Sequence, residues 1–78
     1  MESYIDLRKG EVAVVGKVEI TFSIDEFKLL ASAFLGGANV RIGNFGMDIK
    51  ASQVYFFKNK TEVVVDFQVV CEAAYNVL

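Results

Sequence analysis

The side chains that could carry chemistry in this 78-residue chain are ten carboxylates, eight Lys or Arg side chains and a single thiol. The sequence contains no His, the commonest general base near neutral pH. Nucleophiles activated by His, and zinc sites built from Cys and His, are therefore excluded. We expect a protein that is not an enzyme and that has no catalytic residues, no metal site and no cofactor.

The carboxylates have structural explanations. Asp25 and Glu26 stand in the first turn of a predicted helix, where capping and the helix dipole favour acidic residues. Others fall on predicted strands, where pairing with lysines on neighbouring strands is ordinary: Asp48, Asp66 and Glu72. An enzyme that uses carboxylates, or a pocket at a subunit boundary, is a third interpretation after the two binding functions below.

The glycines are poorly placed for phosphate binding. Dinucleotide and P-loop sites have glycines before a helix, whose N-terminal N–H groups hold the phosphate, whereas Gly36 and Gly37 follow the predicted helix. Residues 43–46, Gly-Asn-Phe-Gly, have the composition of a turn between strands. We expect Phe45, at the tip of this turn, to be a contact residue or a lid that folds back on the core.

The charge balance argues against a partner recognised through its phosphates. Eight basic and ten acidic residues give a formal net charge of -2 with no long run of either sign, whereas a phosphate-driven nucleic-acid binder needs a basic stripe. No apolar stretch approaches the ~20 residues of a membrane span, and the N-terminal residues lack a signal-peptide pattern. Cys71, the single cysteine, is predicted to be a small buried hydrophobe, and we expect a cytoplasmic protein.

One helix is predicted, over residues 24–35. Ser23 can cap it, and Glu26 can complete a capping box by reaching back to the Ser23 backbone. Apolar residues at helical spacing form one stripe: Ile24, Phe27, Leu30, Ala31 and Phe34. Gly36 and Gly37 then end the helix.

The residues before the helix alternate polar and apolar side chains with the period of a β-strand. Residues 11–22 are predicted to form one long strand, and residues 4–8 a strand that pairs with it through a turn at residues 9–10. In that hairpin Ile5 lies opposite Val14, so the apolar residues of both strands share a face.

After the helix, residues 40–42 are predicted to form a short strand that leads into the turn at residues 43–46. A longer strand then runs to Phe57, and a loop at residues 58–60 joins it to a last strand over residues 61–71. The chain is then a single domain, residues 1–78, of the α+β class. Its antiparallel sheet has about five strands, in the order β-β-α-β-β-β, with one helix packed on one face.

Both faces of the central strands carry apolar residues, which predicts burial on both sides. Val54, Phe56, Val64 and Val70 lie on the face that a single helix leaves bare, and Asp66 lies among them as a residue that fixes the register of an interface. We expect a second copy to cover this face, which makes the protein a homo-oligomer, most simply a dimer; a small closed barrel is the alternative. A weaker second patch is predicted on the flank of the helix: Leu29, Ala33 and Leu35.

The favoured function is a non-catalytic protein-protein interaction module, a small homo-oligomeric regulator, adaptor or inhibitor that binds another macromolecule, most simply a protein. The alternative is a single-stranded nucleic-acid-binding protein, in which aromatic residues on a strand stack on bases beside basic residues. Its contact residues are Arg41, Tyr55, Phe57, Lys58 and Lys60. Salt separates the two functions, because phosphate contacts weaken steeply as salt rises.

Overall fold

Antiparallel strands and helices together make up the fold, which confirms the predicted α+β class. The computed structural model describes residues 4–6, 11–15 and 19–78. Within these ranges the elements, in chain order, are β1 (Tyr4–Asp6), β2 (Glu11–Val15), β3 (Glu19–Ser23), α1 (Ile24–Leu35), β4 (Val40–Ile42), β5 (Phe45–Lys50), β6 (Gln53–Lys58), β7 (Thr61–Asp66) and α2 (Phe67–Val77). Strands β1, β2 and β3 form one sheet in that order, and β4, β5, β6 and β7 form a second.

Helix α1 begins and ends at the residues that the sequence predicts. The Ser23 hydroxyl accepts a hydrogen bond from the Glu26 backbone N–H (3.2 Å), and Glu26 Oε1 accepts one from the Ser23 N–H (2.8 Å). This reciprocal pair satisfies two donors that would otherwise lack partners at the helix start. Gly37, with φ 72°, terminates the helix in the left-handed conformation that glycine adopts without strain.

The strand predicted over residues 11–22 is two strands. Strands β2 and β3 pair with each other antiparallel, with Val15 opposite Glu19 and Val12 opposite Phe22. The predicted pairing of Ile5 with Val14 is confirmed. The residues that join these strands, including the predicted turn at residues 9–10, lie outside the described part of the chain.

Strands β4 and β5 form a tighter hairpin than predicted. The turn is the Gly43-Asn44 pair, and Val40 lies opposite Met47. Phe45 is therefore a strand residue and not a turn tip. Its side chain is buried and its ring centroid lies 6.1 Å from that of Phe22. The prediction of an exposed contact residue is therefore wrong, whereas the alternative prediction, that Phe45 folds back on the core, agrees with this burial.

The sequence interpretation missed a second turn, at Ala51 and Ser52. Ala51 adopts a left-handed backbone, φ 53°, without the glycine or asparagine that usually marks such a turn. Lys50 lies opposite Gln53 across the turn, so Ile49 and Val54 share a face. A strand that continued through this point would have placed them on opposite faces, because side chains alternate.

The last predicted strand, over residues 61–71, is a strand only as far as Asp66. Phe67 begins helix α2, with the Asp66 carboxylate accepting a hydrogen bond from the Gln68 N–H at 2.8 Å. The Phe67 N–H donates to the Ser52 carbonyl (3.1 Å), which fixes the start of α2 against the β5–β6 turn. A short apolar run fits both periodicities, and the helical spacing of Val70, Ala73 and Ala74 decides which face is buried.

The core lies between the four-stranded sheet and the two helices. The Phe56 ring on β6 packs against Phe22 of β3 and Phe27 of α1, with centroid distances of 5.8 and 6.2 Å. Helix α2 packs beside α1, where Phe34 and Phe67 bring their ring centroids to 4.8 Å. The largest fully buried side chains are Phe22, Phe27, Phe56, Leu30, Met47, Val54, Val65 and Val70.

Candidate functional site

The surface predicted to bind a second copy is divided by the fold. Val54, Phe56 and Val70 have no solvent exposure, because they fill the core of one chain. Val64 and Asp66 lie on the opposite side of the sheet, exposed to solvent. The assignment of these five residues to one bare face is therefore wrong. It depended on a continuous strand through residues 51–52, on a single helix and on a loop at residues 58–60, whereas Lys58 is a strand residue opposite Thr61 and only Asn59 and Lys60 form the turn. Helix α2 supplies the cover that the sequence interpretation sought from a second copy.

The other face of the four-stranded sheet is open to solvent and is the candidate site. We call it the outer face. Its members alternate with the buried residues of the same strands: Arg41, Gly46, Asp48, Lys50, Gln53, Tyr55, Phe57, Glu62, Val64 and Asp66. Arg41, Tyr55 and Phe57, three of the residues predicted for nucleic-acid contact, come together here.

Phe57 lies at one end of the outer face, in a row that crosses all four strands. Arg41 and Gly46 are opposite each other on β4 and β5, Phe57 follows on β6, and Glu62 on β7. The Phe57 ring lies against Gly46, where a Cβ atom would clash with it. The Arg41 guanidinium stacks on the ring, with its Cζ 4.2 Å from the centroid. The ring is thereby held flat on the sheet.

Tyr55 forms the centre of the next row, between Asp48 and Val64. The Lys50 ammonium lies 4.7 Å from the Tyr55 ring centroid, and the Tyr55 hydroxyl donates to Gln53 at 3.2 Å. Both rings of the outer face are half-buried and each carries a cation. Aromatic rings and arginine, preorganised by their neighbours, are the residue types enriched where proteins bind proteins.

The cations of the outer face lie apart from the carboxylates of β7. The cations, Arg41 and Lys50, lie on β4 and β5, whereas Glu62 and Asp66 lie on β7. Asp48, the third carboxylate, is 3.9 Å from the Arg41 guanidinium. With two cations and three carboxylates the face carries no surplus of positive charge, which a phosphate backbone would require.

Two lysines predicted for nucleic-acid contact are not on this face. Lys58 points to the core side, where its ammonium donates to the Thr21 carbonyl (3.0 Å) and to Glu26 (3.1 Å). Lys60 lies in the exposed β6–β7 turn. The hydrogen bond from the Ser23 backbone, together with the Lys58 ammonium, lowers the pKa of the Glu26 carboxyl below its ordinary value. Lys58 therefore links β6 to α1 through its ion pair with Glu26.

Other apolar side chains are exposed on the helices. Leu29 and Leu35 of the predicted weaker patch are exposed, whereas Ala33 packs partly against the core. On α2 four residues follow one flank at helical spacing: Phe67, Cys71, Tyr75 and Leu78. Cys71 is half-buried and free, with its side chain packed against the core, close to the small hydrophobe that the sequence predicts.

The sequence interpretation missed four polar members of the outer face: Asp48, Lys50, Gln53 and Glu62. Their alternation with buried residues could have found them, once the β5–β6 turn had fixed the register. Within the described residues no group of three or more Cys, Asp or Glu side chains could hold a metal ion. None of the helices in the described ranges is long and apolar enough to cross a membrane. The chain matches no protein-family model, no curated protein and no solved structure.

Proposed function

We propose that this protein is a non-catalytic protein-protein interaction module, a small regulator, adaptor or inhibitor that binds through the outer face of its four-stranded sheet. The observation that supports this proposal is the pair of cation-capped rings, Phe57 under Arg41 and Tyr55 under Lys50. Rings held in place lose little conformational freedom on binding, and they bury a large apolar area. The mixed charge around them suits a protein partner.

In this proposal the protein acts in the cytoplasm and does not catalyse a reaction. A chain with one cysteine forms no intrachain disulfide, which suits a reducing compartment. The absence of His from the sequence removes the side chain most used for proton transfer at neutral pH.

A photoreactive side chain on the outer face tests the proposal in the source cells. We would introduce p-benzoylphenylalanine at Gln53, which is exposed on the outer face, and at Ser32, which is exposed on α1. We expect defined protein adducts from position 53 and none from position 32. Adducts that are equally abundant at both positions, or absent from both, would contradict binding through this face.

A second function, single-stranded nucleic-acid binding, has one specific observation in its favour. Arg41, Tyr55 and Phe57 lie together on a sheet face, in the manner of a platform on which bases stack. Fluorescence anisotropy with a labelled mixed-sequence single strand at low salt tests it. Binding that weakens steeply with salt and is lost in a Tyr55→Ser, Phe57→Ser variant would favour this second function.

A further inference from the structure

We propose that the partner of the outer face is a second copy of this chain, docked face to face about a two-fold axis that runs parallel to β5 and β6 and between them. This inference rests on the proposed function, because it names the partner of the same surface. The positions of the charged residues and aromatic rings on the four strands support this dimer.

A two-fold axis in this position exchanges β5 with β6 and β4 with β7 across the interface. The row that contains Phe57 holds, in order, Arg41, Gly46, Phe57 and Glu62. The rotation therefore places Arg41 of one copy opposite Glu62 of the second copy, and Glu62 opposite Arg41. Both pairs have opposite signs, because the cations lie on one side of the axis and the β7 carboxylates on the other.

The next rows are complementary in the same arrangement. Asp48 and Tyr55 are opposite each other on β5 and β6, so the rotation places each Tyr55 opposite an Asp48 of the second copy, which can replace Gln53 as the acceptor of the Tyr55 hydroxyl. A phenol donates well to a carboxylate. Lys50 comes over Gln53 of the second copy and one strand from its Asp66. Sheets that pack face to face lie ~10 Å apart, a gap that long polar side chains from both sides can fill.

The size of the face predicts a reversible dimer. Strands β5, β6 and β7 each have six residues. With strands ~4.8 Å apart and ~3.3 Å per residue, the four-stranded face covers roughly 400 Å² on each copy. The two copies together cover roughly 800 Å², which is below the ~1,200 Å² at which standard interfaces begin and is the size of a weak, transient one. Arg41, whose side chain is 67% exposed, is free to leave Asp48 for the second copy.

Charge reversal at the predicted pair tests the inference. Sedimentation velocity of the full chain from micromolar to millimolar concentration should reveal a monomer–dimer equilibrium. We expect Arg41→Glu alone and Glu62→Arg alone each to raise the dissociation constant by about tenfold or more, because each creates two like-charge contacts per dimer. An equimolar mixture of the two variants should recover the dimer, since the mixed pair restores both opposite-charge contacts.

Matched control variants make the same change in charge at positions away from the outer face. Lys28→Glu and Glu72→Arg alter exposed helix residues by the same charge and should leave the equilibrium unchanged. Tyr75→Asp tests the exposed flank of α2, where Tyr75 is 70% exposed, and should also have no effect. Far-ultraviolet circular dichroism of every variant confirms folding.

Three results would overturn the inference: a wild-type chain that is monomeric throughout, a dimer indifferent to both charge reversals, or a dimer abolished by Tyr75→Asp alone. A monomeric chain that still gives adducts from position 53 with a different protein removes the second copy as partner and leaves the proposed function standing. Adducts of twice the chain mass at that position agree with the dimer.

Discussion

The inner and outer faces of the four-stranded sheet are made from alternate residues of the same strands. On β6, Val54 and Phe56 face inward with no solvent exposure, whereas Tyr55 and Phe57 face outward and are half-buried. Inward rings contact rings from β3 and α1. Outward rings contact cations of their own sheet. Phe56 therefore stabilises the core, whereas its neighbours Tyr55 and Phe57 form the outer surface.

The comparison shows how a two-residue turn decides the role of every side chain that follows. Ala51 and Ser52 place Val54 opposite Ile49, so that both residues lie on the inner face. A slip of one residue would put Tyr55 and Phe57 into the core and expose Phe56. Substitutions on the two faces should therefore differ in their effect on stability.

Substituting the two adjacent phenylalanines separates the faces most strongly. Phe56→Ala leaves a cavity among Phe22 and Phe27, and we expect it to lower the free energy of unfolding by about 3–5 kcal/mol. Phe57→Ala should cost roughly 1 kcal/mol, because the ring is only half-buried. Urea denaturation followed by circular dichroism measures both. If Phe56→Ala does not fold, Phe56→Leu against Phe57→Leu gives the same contrast. Equal losses at the two positions would contradict the assigned faces.

Gly46 connects the outer face to the backbone beneath it. A methyl group at this position would clash with the Phe57 ring and the Val40 carbonyl. We expect Gly46→Ala to lower stability by about 1–3 kcal/mol, because the ring must move off the sheet and the β4–β5 pairing must open. Gly36→Ala is the control, since the added carbon there has only ordinary contacts at 3.5 Å. A Gly46→Ala variant as stable as Gly36→Ala would show that Phe57 does not lie on Gly46.

Relief of backbone strain at the β5–β6 turn should raise stability, in contrast to the substitutions above. Ala51 has φ 53°, which costs energy for any residue with a Cβ atom. We expect Ala51→Gly to raise the free energy of unfolding by roughly 0.5–1 kcal/mol, less the extra entropy that glycine gains in the unfolded chain. Asn59, with φ 58°, should gain less on change to glycine, because asparagine tolerates this backbone and its side chain accepts a hydrogen bond from Asn44. A destabilising Ala51→Gly would contradict the turn.

The smallest expected effect is the contribution of the Glu26 carboxylate to stability at acid pH. Since the pKa of Glu26 is lower in the folded chain than its ordinary value of 4.5, its contribution to stability is fully present above that value. It is lost as pH falls through the lower, folded pKa. Thermal unfolding between about pH 6 and pH 3 should therefore show a steeper loss for the wild type than for Glu26→Gln, which keeps the capping geometry. Parallel curves would exclude the carboxylate's part in acid sensitivity.

Part of the candidate site was accessible from the sequence. The sequence predicts five contact residues, and the sheet brings three of them together on the outer face: Arg41, Tyr55 and Phe57. The hypothesis that Val54 and Phe56 lie beside Val64 failed because a two-residue turn, Asn59 and Lys60, joins β6 to β7 in place of the predicted loop at residues 58–60, so Val54 lies opposite Val65. Asp66, which is predicted to fix the register of an interface, lies on the outer face and also caps a helix whose first residues have high strand propensity.

Local sequence is sufficient to predict α1, its capping box and its end, because those features depend on residues within one or two helical turns of each other. It also determined the Ile5–Val14 pairing, through the match of apolar faces. The turn after β5 and the boundary between β7 and α2 depend on tertiary contacts. At both points the local pattern fits two conformations, and the choice follows from burying Val54, Phe56 and Val70 against Phe22 and Phe27, residues far apart in the chain. The same choice left Tyr55 and Phe57 outside.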